Sequence, residues 1–130
     1  MKSTEVFTRF GQAFEHRDRA AFDAAAAPQV SMTPVPGWPD PGPFVGRDAA
    51  WSFMQGTEEP FDQVFYDGAT EIEEHGDVVF TCVKRRMRSK GAADAVEILL
   101  YMVATVGEEG VTDVHSYLDR AQARAAAGLD

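Results

Sequence analysis

Five of the seven prolines in the chain, Pro34, Pro36, Pro39, Pro41 and Pro43, fall within residues 34–43, with Gly37 and Gly42 between them. Proline fixes φ and withholds a backbone donor, so this stretch cannot join a helix or a central strand. It nevertheless carries Val35 and Trp38 and runs into Phe44 and Val45. A rigid loop with that much apolar surface either folds over a core or lies along the rim of a pocket. The chain before it reads as helix plus one short strand, and most of the chain after it as antiparallel sheet.

The first helix is predicted from Val6, Phe7, Phe10, Ala13 and Phe14, which share one stripe at three- and four-residue spacing, with Ser3 or Thr4 as its cap. Asp18 is placed to cap a second helix, Arg19 to Ala26, closed by Pro28. Val30 and Met32 alternate with Ser31 and Thr33 as a half-buried strand. After the proline loop, Gly46 and Asp48 open a third helix with Ala50, Trp51, Phe53 and Met54 on its apolar face, and Gly56 ends it. From Phe61 the period becomes two, giving extended segments near 61–73, 77–89, 95–106 and 111–118. Glycine turns at 74–77, 89–92 and 107–110 join them, which implies consecutive hairpins. The strand from Val78 to Val83 is apolar on both faces, so one face meets the helices and the other something else, a partner subunit being one candidate. Asp119 caps an alanine-rich final helix. The architecture this predicts is α+β in a single domain over 1–130: three N-terminal helices packed on a curved antiparallel sheet, enclosing a conical hollow.

At 130 residues the chain can bury roughly two thirds of its unfolded surface. A net charge of −9 disfavours nucleic acid, whose binding rests on phosphate neutralisation. The basic run Lys84-Arg85-Arg86, with Arg88 and Lys90, reads as a solvated strand end. Cys82 is the only cysteine and the three histidines lack ligand spacing, so neither an intrachain disulfide nor a metal site is expected. No stretch approaches a membrane span and the N-terminus lacks the apolar run of a signal peptide, which makes a cytoplasmic location the default.

The loop PGWPDPGPFVGRD and the closing segment VTDVHSYLDRAQARAAAG, in this order of elements, resemble the nuclear-transport-factor-2-like superfamily, and within it the SnoaL-like polyketide cyclase group. The resemblance spans essentially the whole chain. It implies a cone-shaped, cystatin-like α+β barrel, a homodimer, no cofactor, and a pocket for a small hydrophobic or aromatic molecule. Relatives include ketosteroid isomerases, cyclases, epoxide hydrolases, dehydratases and proteins that only bind or assemble. The isomerases place a general-base aspartate before the proline after the first strand; here the residues are Thr33-Pro34-Val35. Their first-helix tyrosine donor corresponds to Phe10, so that mechanism is missing both its groups. The hydrolases' aspartate–arginine–aspartate set finds Arg85, Arg86 and Arg88 without an R-x-D pattern; Ser116 replaces one carboxylate and Asp119 is kept. The cyclases' single acid–base aspartate would be Asp119 or Asp113, with His115 beside it.

On the final strand Thr112, Val114, Ser116 and Leu118 form the less polar face, which sets Asp113, His115, Tyr117 and Asp119 against solvent or a dimer partner. The candidate catalytic residues are thus Arg85, His115 and Asp119. The candidate pocket residues are Phe10, Phe14, Met32, Trp38, Trp51, Phe65, Tyr101 and Ser116, the aromatic ones equally readable as core. Arg85 shares strand parity with Val79, Val83 and Met87, so it should face the hollow. A ligand carboxylate, phenolate or enolate would be its partner. Three functions fit: a cofactor-independent cyclase, isomerase or dehydratase, a binding protein without chemistry, or a dimeric assembly module.

Overall fold

The strands form one mixed sheet on which the helices pack in the computed structural model, which describes residues 1–129. The elements run α1 (Ser3–Glu15), α2 (Arg19–Ala25), β1 (Ala26–Thr33), β2 (Phe44–Val45), α3 (Arg47–Gly56), β3 (Phe61–His75), β4 (Val78–Ser89), β5 (Val96–Gly107), β6 (Gly110–Tyr117) and α4 (Arg120–Ala126). The sheet order is β2-β1-β6-β5-β4-β3. The three glycine turns close the expected hairpins, and β3 through β6 pair antiparallel.

The fold is the expected α+β cone, with three corrections. The sheet is mixed, because β1 returns parallel to β6, with Met32 beside Val114 and Thr33 beside His115. It is also open rather than closed, since β2 and β3 are edges that do not meet. The third correction concerns α4, which packs on the outer face of the sheet, opposite α1, α2 and α3. Its Ala123 and Ala127 lie against Phe80, Cys82, Tyr101 and Val103. That explains the strand apolar on both faces: Val79 looks into the main core while Phe80 and Cys82 look out under α4. Two arginines fasten this helix. Arg120 is paired with Glu71, whose carboxyl it holds below the usual range by hydrogen bonding, and Arg124 reaches Glu73 at 2.8 Å. Both guanidiniums also lie over the Phe80 ring.

Local expectations fail in two places. Neither Ser3 nor Thr4 caps α1. Lys2 holds the N-cap position, and the Thr4 amide instead donates to the Glu74 carboxylate of β3 at 2.9 Å. Helix α2 ends at Ala25, and Pro28 lies within β1, at an exposed position, because pairing with β6 begins already at Ala26. Asp18 and Asp119 do cap their helices, accepting from the Ala21 and Gln122 amides. The main core lies between α1–α3 and the inner sheet face, with Phe22, Val30, Val79, Val111 and Val114 fully buried.

Bulges bend β3 where its register slips, between Tyr66 and Ala69 and again between Ala69 and Glu71; Gly68 supplies a positive φ of 75° there.

Candidate ligand-binding site

A cavity of about 430 Å³ lies between α1, the proline loop, α3 and the inner face of the sheet. Phe10 and Phe14 from α1, Met32 from β1, Val83 from β4, Leu100 and Met102 from β5 form much of its apolar wall. The proline loop supplies Pro34, Val35 and Trp38. Within that loop Pro36 and Gly37, with φ of 91° at the glycine, form a tight turn closed by the Trp38 amide on the Val35 carbonyl at 3.1 Å. Trp38 then meets Phe53 of α3 edge-on, with ring centroids 6.2 Å apart. The loop is therefore a wall of the cavity.

Arg85 is the charged side chain most deeply set into this wall, only 8 % exposed. Its Nη2 donates to the Thr57 carbonyl at 2.7 Å and its Nη1 lies 3.4 Å from the Thr57 hydroxyl. The guanidinium sits 5.8 Å from the Tyr66 ring centre and 5.9 Å from that of Phe61. Its Nε is buried and has no hydrogen-bond partner. No carboxylate among the described residues lies within ion-pairing distance of it; the buried Glu58 is held by Arg17 and accepts from the Tyr66 hydroxyl at 2.9 Å. Arg17 reaches that position from the left-handed turn that ends α1, at φ 55°.

Burial pushes the Tyr66 phenol well above its ordinary value of 10.0, with Arg85 pulling the other way and Glu58 adding to the rise. The unfolded chain would ionise this tyrosine near pH 10 while the folded protein keeps it protonated. Its contribution is therefore complete below that pH and is lost as pH rises beyond it. Stability measured by urea unfolding should fall above pH 10, and Tyr66→Phe should flatten that decline. An equal slope in both proteins would refute the assignment.

The structure divides the sequence candidates into two groups. Arg85, Phe10, Phe14, Met32, Trp38 and Ser116 come together on the cavity wall. The others lie elsewhere. Trp51 packs into the core between Phe14 and Phe22, where the helix face it occupies is fully covered. Tyr101 points to the opposite side of the sheet, stacked near Phe80 beneath α4. Phe65 is 48 % exposed on the outer face, under the Arg86 guanidinium at 5.5 Å. Asp119 is spent on capping α4. His115 faces outward, its Nε2 2.9 Å from the Asp113 carboxylate, and lines a separate cleft of about 280 Å³ with Thr33, Tyr117 and the proline loop. Thr57 and Tyr66, which line the cavity beside Arg85, and Glu58, which accepts from the Tyr66 hydroxyl, were not anticipated. Neither was Glu15, a half-buried carboxylate on the wall. Among the described residues no group of three or more His, Cys, Asp or Glu could hold a metal, and no helix is long and apolar enough to cross a membrane.

No family model and no curated protein matches the sequence. Solved structures do. A nuclear-transport-factor-2-like protein from Burkholderia xenovorans superposes with a TM-score of 0.75 at 20% identity, covering 96% of this chain and 95% of that one. TerC, co-crystallised with polyporic acid, gives 0.78 at 16% identity, over 97% and 98%. A SnoaL-like polyketide cyclase from Jannaschia gives 0.76 at 14% identity, over 98% and 92%. At such identities the likeness speaks for the fold, and together with the open six-stranded sheet and its covering helices it shows that this chain has the nuclear-transport-factor-2-like fold that the SnoaL-like and ketosteroid isomerase-like proteins share.

Proposed function

We propose that the protein binds a small hydrophobic or aromatic molecule inside the cone. One observation carries this reading. Val83, Ile98, Leu100, Met102, Phe14 and Phe53 all line the cavity, yet each remains only half-buried. Side chains on the core face of a well-packed sheet are normally sealed against their neighbours. Here their surface is left for a guest, and its burial would drive binding. The neighbour co-crystallised with polyporic acid supports a small-molecule role for such a cavity. A proton transfer of the cyclase, isomerase or dehydratase kind would draw on Glu15 as the carboxylate of the wall and Arg85 to hold developing negative charge. His115 and Asp119 have no part in it, since neither reaches the cavity.

Leu100→Trp tests the binding. The indole would fill the cavity, and overpacking of that kind should weaken capture of the neutral fluorophore N-phenyl-1-naphthylamine about tenfold or more. Leu99→Trp, one residue along and facing outward, should leave the fluorescence titration unchanged. Equal affinities in both variants would place the probe elsewhere and remove the reading.

Homodimerisation through the outer face is the second reading. It is favoured by the part of that face α4 leaves uncovered, where Phe65 and Leu99 are 48 % and 45 % exposed. Sedimentation at micromolar concentration should give twice the chain mass, and Leu99→Asp should return the monomer. A monomeric wild type would dispose of this reading.

A further inference from the structure

The polar end of the cavity carries a charge imbalance that a neutral guest would leave uncorrected. Arg85 from β4 lines it; Glu58, from the segment after α3, and Arg17, from the turn after α1, are not lining residues but pair with each other beside Tyr66. Glu58 and Arg17 neutralise one another, and the Tyr66 hydroxyl is committed to Glu58. Glu15 of α1 lies on the wall but outside ion-pairing distance of Arg85, and β5 presents only Ile98, Leu100 and Met102. One positive charge therefore remains, more than nine-tenths buried, with an Nε–H that meets no acceptor. Thr57 takes the two terminal nitrogens and holds the guanidinium in place. A buried arginine is stable in company with an anion, and apolar walls strengthen that attraction because little solvent screens it.

Resting on the reading that the cavity takes a small apolar guest, we infer that the guest is bound as its conjugate base: a hydrophobic molecule with one acidic oxygen, a carboxylate, phenolate or enolate, set against Arg85. For a phenol or an enolisable dicarbonyl the site does more than select. The acidic O–H bond, of the phenol or of the dicarbonyl's enol tautomer, breaks, the proton leaves to solvent, and the electron pair stays on the oxygen beside the guanidinium. The ligand's own pKa is consequently lower in the cavity than in water, by the difference between its affinities as anion and as neutral acid. Arg86 and Lys84, neighbours on the same strand, face outward and take no part.

The probe is 6-cyano-2-naphthol, whose neutral and ionised forms absorb at different wavelengths, compared with its methyl ether, which cannot ionise. In buffer below the naphthol's own pKa, adding the protein should raise the anion band, and the naphthol should bind about tenfold or more tighter than the ether. Arg85→Gln should abolish the anion band, whereas Lys84→Gln, which removes an outward charge from the same strand, should not. A naphthol that binds with only its neutral spectrum would overturn the anion inference while leaving the cavity reading in place. An anion band that survives Arg85→Gln would overturn the role given to Arg85. If neither the naphthol nor the ether binds, both the inference and the cavity reading fall.

Discussion

Gly110→Ala is expected to destabilise the protein by about 3 kcal/mol or more, enough to leave a marginal domain largely unfolded at moderate temperature. Gly110 sits in the turn between β5 and β6 at φ 117°, a conformation L side chains rarely adopt. A Cβ there would stand 2.3 Å from the Ala25 carbonyl oxygen and 2.9 Å from its carbon. These are backbone atoms at the junction of α2 and β1, so no side chain can swing aside. Relief would require shifting that junction, and with it the pairing of Ala26 with Val111. Gly91→Ala isolates the conformational part of the effect. It too has a positive φ, 78°, but nothing lies within 4 Å of its Cβ position, so its cost should be about 1 kcal/mol. Urea midpoints of the two variants measure the difference. If Gly110→Ala loses no more than Gly91→Ala, the approach to the Ala25 carbonyl carries no cost of its own.

Arg85→Met should act in the opposite direction. A desolvated cation without a counter-ion is costly, and apolar replacements of buried ionic groups of similar volume are often neutral or stabilising by about 1–4 kcal/mol. Methionine would fill much of the same space between Phe61 and Tyr66 and join Val83 and Leu100 in an apolar wall. Against this stand the two hydrogen bonds to Thr57, which the arginine would surrender. Because those bonds leave Nε unmade, the charge term should win, and the empty variant should unfold at a higher urea concentration than the parent. A lower midpoint would mean that Arg85 is adequately compensated as it stands, and the case for an anionic guest would weaken with it. Residues that serve binding commonly cost stability in this way.

Much of the fold was legible because its signals are local. The stripe from Val6 to Phe14, the capping aspartates and the three glycine turns each act within a few residues. The parallel return of β1 beside β6 has no local signal, since Ala26–Thr33 would read the same beside any partner. Nor did Ala123 and Ala127 declare which face of the sheet they would cover, and this misplaced Tyr101, whose strand is apolar on both sides. Arg85 was found by parity with Val83 and Met87. The same counting would have found Tyr66 and excluded Phe65. Numbered outward from the turn at Gly76, Tyr66 falls opposite Met87, on the inner face. The two bulges move it along to Arg85, two residues away and still on that face. Thr57 and Glu58 could not be found so, because they lie in the turns after α3, where no periodicity says which way a side chain points.

Pro34, Val35, Trp38 and Ser116 line both the inner cavity and the outer cleft that holds His115. The inner cavity and the outer cleft thus adjoin along these four residues. A guest that pressed Trp38 outward would take room from the cleft, and anything seated in the cleft that pressed it inward would take room from the guest. By reciprocity each would then alter the other's affinity by the same factor. The proline loop, stiff along its length, is what would carry that coupling across the rim of the cone.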